Sequence, residues 1–324
     1  MDIEKLKDNL RLITSCDQSK CGFGAYLLTK DSPRLKKLQL SRNDLQISLK
    51  DSIIKALKGS YLLEESKYLD AEKEVDERAD FYVIQQTEKY KPFDIKGWEE
   101  CDFKEEHLEN FMGFLFSLRY DQLKIWCYQN RRSNSYANRK KTSILARLEG
   151  YEDKKWIFKE QTEKTISFSH VVDIVIVDDY LITGDIGLLE RSFDFQAFIQ
   201  EKGEKAVKCI YEKELFSGEE ALKKYLKDKK CPKSYQKKMM KIIDSPILSM
   251  YNKNANGLYE KVSSLARWEG RIKKPVDGRI PIETKDDIEA MIDLLIERFT
   301  KSEVSGQEYD TIVKKKVETT ETKK

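Results

Sequence analysis

A chain of 324 residues, of which 40% are hydrophobic and 10% aromatic, holds enough apolar material for one large or two ordinary domains, which excludes a disordered polypeptide. Its 60 Lys and Arg nearly cancel its 57 Asp and Glu, yet they are unevenly placed: residues 1–120 carry 20 basic and 23 acidic side chains, residues 121–280 carry 32 and 23, and residues 281–324 carry 8 and 11. A basic middle between mildly acidic ends suits a localised anionic partner and equally a well-solvated lysine surface, while six cysteines without a Cys-x-x-Cys pair and only two histidines, His107 and His170, exclude an ordinary zinc site.

Met1 runs into Asp2, Glu4, Lys5, Lys7 and Asp8 with no apolar segment behind it, so no secretory leader is expected and the chain is placed in the cytoplasm, with its cysteines as thiols. Residues 22–28 and 35–40 read as short strands around Asp31-Ser32-Pro33. Asn43 is the expected cap of a helix in which Leu45, Leu49, Ile53, Ile54 and Leu57 recur at helical spacing, with Gly59 near its end. Residues 64–80 are polar and read as a loop or solvated helix, residues 81–85 as a strand, and Asp102 as the cap of a second helix carrying Leu108, Phe111, Met112, Leu115 and Phe116.

From Leu123 the pattern turns to strands, with Leu123, Ile125 and Cys127 alternating, and further strands at 155–159, 165–168, 171–177 and 180–183. The run Ile174 to Val177 predicts a central strand covered on both faces, with Asp173 as its polar interruption and Asp178-Asp179 as a tight turn. No apolar run approaches the roughly 20 residues of a membrane-spanning helix. After Phe193 the chain reads as helical. Ser217 and Glu220 form a capping-box pattern, Pro232 opens a helix that stops before Pro246, and residues 255–268 form another helix. Thr284 caps a last helix with Ile288, Met291, Ile292, Leu295 and Phe299 on one face. A strand at 309–317 and a disordered polar tail, 318–324, end the chain. The fold class expected is α+β, with a mixed, largely antiparallel sheet in the N-terminal and central parts followed by a helical C-terminal part.

The sharpest chemical feature is the stretch from Lys223 to Lys241, with nine lysines against the single acid Asp228. After Pro232, Lys233, Lys237 and Lys241 recur every fourth residue and line one helix face beside Lys238, while Tyr235, Met239, Ile242 and Ile243 form the apolar stripe. Such a ridge can track phosphates, or it is simply a solvated helix face. If three or four lysines each displace a counterion, raising salt from about 50 to 200 mM weakens binding roughly 40- to 150-fold. A second block, from Asn130 to Lys141, interleaves Arg131, Arg132, Arg139, Lys140 and Lys141 with amides, hydroxyls and Tyr136; it suits phosphate contact and base reading, or an exposed polar hairpin. Arg267, Arg271, Lys273, Lys274 and Arg279 form a third cluster that extends the same surface.

Enzyme motifs are missing. There is no Gly-Lys-Ser/Thr phosphate loop and no Gly-x-Ser-x-Gly elbow, and Gly22-Phe23-Gly24 lacks a third glycine. A metal-dependent nuclease would need paired carboxylates near a lysine, for which Asp173, Asp178, Asp179 and Asp185 with Lys155 and Lys159 are the candidates. His170 reads as a strand-start residue rather than a general base. No catalytic residue, metal ligand or cofactor is assigned.

The segments Val171-Val172-Asp173-Ile174-Val175-Ile176-Val177-Asp178-Asp179-Tyr180-Leu181-Ile182, Leu189-Glu190-Arg191-Ser192-Phe193-Asp194-Phe195 and 294–309 carry a family resemblance that spans most of the chain and is strongest over 120–317. It resembles the soluble component B (KwaB-like) family of the Kiwa anti-phage defence system, formerly a domain of unknown function. The resemblance implies a non-catalytic DNA-binding protein without a cofactor. It also implies a homodimer, cytoplasmic and held peripherally at the inner face of the membrane by a small multi-spanning membrane protein. On that basis residues 1–120 form an N-terminal α+β region and 121–317 the KwaB-like domain. Nuclease effector and scaffold without nucleic-acid affinity are the alternatives.

Overall fold

The computed structural model describes residues 2–32, 34–40, 44–74, 79–108, 110–130, 146–150, 156–160, 168–228, 231, 233–265, 268–296, 300–301 and 308–309. Two compact units divide it: Met1–Tyr68 with Ala79–Phe193, and Leu69–Arg78 with Asp194–Lys324. The class is α+β, a large mostly antiparallel sheet followed by helices.

The first unit opens with a helix that the charged N-terminus does not announce, α1 (Ile3–Ser15), capped by the Asp2 carboxylate on the Lys5 N–H. Leu6, Leu10 and Ile13 form a narrow buried stripe, enough to dock a helix whose other faces are charged. There follow β1 (Gly22–Thr29), β2 (Leu35–Lys37) and α2 (Leu45–Ala56), which runs on into a wider π turn, Leu57–Tyr61. Asp44, not Asn43, caps α2; Asn43 lies outside the described residues. Within the stretch 64–80, β3 (Tyr68–Asp70) and α3 (Ala71–Glu74) are ordered elements, and β4 (Phe81–Gln85) and β5 (Glu100–Asp102) come next.

The helix expected after Asp102 is instead a strand, β6 (Phe111–Tyr120), which turns at Asp121 into β7 (Leu123–Asn130). Phe114, Leu115, Phe116 and Leu118 are all buried, so residues of both parities face apolar surroundings and the segment has no polar face to turn outward as a helix. Gly113 shows how closely the strands pack there: a Cβ would stand 2.2 Å from the Gln129 carbonyl oxygen and 2.7 Å from the Tyr128 ring. Residue 120, where the sequence suggests a soft boundary, therefore sits inside a hairpin.

β8 (Ala146–Gly150) and β9 (Trp156–Glu160) pair as a separate hairpin, and β10 (Ile174–Val177) and β11 (Tyr180–Thr183) form the expected buried pair. Val177 faces Tyr180 across the two-residue turn, with Asp178 in the left-handed region at φ 52°. The nine strands run in the order β3-β4-β11-β10-β7-β6-β1-β2-β5. One face of the sheet packs Ala25, Leu27, Phe116, Ile125, Cys127 and Val175 against α1 and α2. A short helix the sequence does not announce, α4 (Ile186–Ser192), closes the unit.

The second unit takes in α3 from earlier in the chain and contains α5 (Phe195–Glu212), β12 (Phe216–Ser217), α6 (Glu219–Lys227), α7 (Lys233–Ile242), α8 (Pro246–Met250), α9 (Ala255–Ser263), β13 (Ile280–Pro281), α10 (Lys285–Leu295) and the short strands β14 (Thr300–Lys301) and β15 (Glu308–Tyr309). Ser217 does not cap α6. Its carbonyl accepts the Ile282 N–H in the parallel β12–β13 pair, and the helix starts from Gly218 at φ 95°, where a Cβ would lie 1.9 Å from the Ile282 carbonyl oxygen. Thr284 does cap α10, in a reciprocal capping box with Asp287, and Ile288, Met291, Ile292 and Leu295 are buried as their spacing predicts. Burial of such side chains contributes about 1.5–3 kcal/mol each. Phe299 and residues 310–317 lie outside the described residues.

Candidate nucleic-acid interface

The lysine-rich stretch folds as α6 and α7. In α7, Met239, Met240 and Ile242 are buried, which docks the helix and fixes where its lysines lie; Ile243, expected on the apolar stripe, follows the last helical residue and is exposed. Lys237 and Lys241 are half-buried. Lys238 points inward. Its Nζ is 3.0 Å from Asp293 Oδ1, with the two side chains 12% and 9% exposed, and 4.1 Å above the Tyr235 ring. Lys233 belongs to α7 by its backbone. Arg131, Arg132, Arg139, Lys140 and Lys141 lie outside the described residues.

Toward the end of α6, Lys224 and Lys227 are exposed, and among the described residues no carboxylate lies within 4.0 Å of either. Cations at this end of a helix are stabilised by the carbonyl dipoles, so their charges sit there at little cost to the fold. Lys223, one turn back, is neutralised by Glu219 at 3.0 Å and Glu220 at 3.1 Å. A cleft of about 530 Å³ opens between α5, α6 and α7, with Ile199, Gly203, Val207, Met239, Lys223 and Lys227 among its lining.

The third cluster is largely paired. Arg271 approaches Asp293 at 3.9 Å, Lys273 bridges Glu283 at 2.9 Å and Asp287 at 2.8 Å, and Arg279 reaches Glu214 at 4.0 Å, while Lys274 is exposed and Arg267 lies outside the described residues. The acids considered for metal chemistry hold backbone instead. Asp173 accepts the Asn130 N–H at 2.8 Å; Asp185 caps α4 and pairs with Arg191 at 3.1 Å; Asp178 occupies the hairpin turn. Lys155 and the Lys159 side chain lie outside the described residues, and among those described no three His, Cys, Asp or Glu side chains gather at one point. His170 Nδ1 lies 2.8 Å from Ser52 Oγ.

Sequence reading misses a second cationic group, on the sheet of the first unit. Register places Arg119 of β6 directly opposite Lys124 of β7, and in the next row Ser117 opposite Trp126, with Gly22 and Gly24 of β1 on the other side of β6. Both cations are exposed, and among the described residues neither has a carboxylate within 4.0 Å. Burial and then the Arg119 charge push the Lys124 ammonium pKa down, against a smaller upward pull from Glu100. Lys124 Nζ lies 4.1 Å over the Trp126 ring, whose centroid is 5.5 Å from that of Tyr26. The alternation Lys124, Trp126, Tyr128 is visible in the sequence, but only pairing with β6 brings Arg119 beside it.

Among the described residues no helix is long and apolar enough to cross a membrane. Residues 108–305, more than half of the chain, match the family model described as Kiwa protein KwaB-like. No curated protein and no solved structure matches the chain.

Proposed function

Because the chain belongs to the Kiwa KwaB-like family, and so is a component of an anti-phage defence system, we propose that it binds phage DNA without cutting it, in concert with a membrane partner. The observation that carries the reading is the pair of exposed, unneutralised cations Lys224 and Lys227 in a stretch of nine lysines and one acid. Lys233, Lys237 and Lys241 on α7 and the basic block Arg131, Arg132, Arg139, Lys140 and Lys141 extend the surface in this reading. Lys238, committed to Asp293, supports α7 from beneath. The chain acts as a homodimer in the cytoplasm, reaching the membrane through a small multi-spanning protein.

A gel shift on duplex DNA across a salt series, with and without Mg²⁺, tests this. Intact shifted DNA is expected, with Lys224→Glu/Lys227→Glu lowering the slope of log K against log salt by about 2, since each phosphate contact contributes about 0.9. No shift at low salt would leave a scaffold role. Metal-dependent fragments would make the chain a nuclease.

A further inference from the structure

The facing cations on the sheet pose a physical problem that the fold leaves unsolved. Like charges directly opposite on neighbouring strands destabilise a sheet, and nearby carboxylates relieve such a pair. Here relief from the described chain is partial: Glu100 acts on Lys124 only from a distance, and neither Arg119 nor Lys124 has an acid within 4.0 Å.

The row behind them is built flat. Gly24 and Ser117 present almost no side chain, and a Cβ on Gly24 would meet Ser117 Oγ at 2.7 Å and the Tyr26 ring at 3.1 Å, so Tyr26 lies back over the glycine along the strand. Trp126 stands across β6 from it, tilted by 53°, and both rings remain half-exposed. At the far end, Glu100 pairs with Lys37 at 3.4 Å and sits beside the Tyr26 hydroxyl, whose pKa is raised by burial and then by that carboxylate. The face is therefore graded, with unpaired cations at one end, π surfaces in the middle and a neutralised ion pair at the other.

We propose that this sheet face binds single-stranded nucleic acid, an unpaired base stacking on Trp126 and Tyr26 while an adjoining phosphate bridges Arg119 and Lys124. A duplex keeps its base faces inside the stack, where rings on a sheet surface cannot reach them; an unpaired base presents its face freely. The Lys37–Glu100 pair leaves that end without net charge, so the phosphate is drawn to the Arg119 and Lys124 end, which orients the strand. The inference rests on the reading of the chain as a nucleic-acid binder, but on residues none of which belongs to the α6–α7 surface.

Fluorescence anisotropy of the full chain with a labelled dT20 strand, a rU20 strand and a hairpin duplex tests it. Trp126→Leu should weaken dT20 binding by about 5- to 150-fold, the range for losing one base–aromatic stack, and leave the duplex within about twofold. Trp126→Phe should retain most of the affinity. Arg119→Gln/Lys124→Gln, on two exposed side chains, should lower the single-strand salt slope by about 0.7, the share of the one phosphate they bridge, and carries the test if Trp126→Leu fails to fold. Unchanged dT20 and rU20 affinity in both variants overturns the proposal, as does an equal loss on strand and duplex. A wild-type chain that shifts duplex but neither strand refutes this site and leaves the proposed function intact; one that binds no nucleic acid refutes both. Relative affinity for rU20 and dT20 identifies which strand is the ligand.

Discussion

Replacing Lys238 by Met tests whether the basic surface and the supports of the fold are distinct. Lys238 and Asp293 meet at 3.0 Å with side chains 12% and 9% exposed, so Met at 238 strands a carboxylate in the second unit's interior. Removing one member of a buried pair costs about 3–5 kcal/mol; here Arg271, 3.9 Å from the other Asp293 oxygen, retains part of the neutralisation, which brings the expected loss to about 2–3 kcal/mol. Urea unfolding followed by tryptophan fluorescence reads it through Trp268, which is 1% exposed and belongs to the same core cluster as Met239 and Leu294. Lys238→Met/Asp293→Leu should recover at least about 1.5 kcal/mol of the summed single losses, because neither charge is then left alone. Its duplex affinity should stay within twofold of wild type. A single-variant loss below about 0.5 kcal/mol, or a double variant as unstable as the sum of the singles, would refute the reasoning.

Two further outcomes follow from local geometry. Burial alone would raise the Asp287 carboxyl, but Lys273 Nζ at 2.8 Å and the Thr284 and Glu283 N–H groups outweigh it and hold its pKa at about 2, below the free value of 3.8. A depressed folded-state pKa contributes stability that is full above the unfolded value, so acid denaturation should take this contribution between about pH 4 and 2, and Asp287→Asn should remove about 1–2 kcal/mol at pH 7 and flatten that acid limb. Gly203→Ala, inside α5 where a Cβ meets nothing within 4 Å, should raise stability by about 0.5–1 kcal/mol and the melting temperature by about 1–3 °C. A fall in melting temperature would show that the cleft is closed over Gly203 in solution.

What the sequence reveals depends on how local the cause is. Thr284 and the Asp178-Asp179 turn act over three or four residues, so both are legible from their immediate neighbours in the chain. The strand at 111–120 is not, because an apolar run with one serine fits a buried helix as well as a central strand, and only the neighbours on both sides decide. Ser217 has the right spacing for a cap and is taken instead by a partner more than sixty residues away, Ile282. The lysine stretch is visible as charge, yet Lys238 differs from Lys224 only through Asp293, which lies on another helix. Arg119 and Lys124 are five residues apart and ordinary in the sequence; their opposition is a product of the hairpin register.

The sheet ends at both sides in strands of three residues, β3 and β5, and β5 carries Glu100 and Asp102. So short a margin offers an incoming strand too few backbone groups to offset the cost of ordering it, and the acids deter a second copy of the same edge. The nine-stranded sheet is thus a poor template for edge-to-edge pairing, however concentrated the protein becomes.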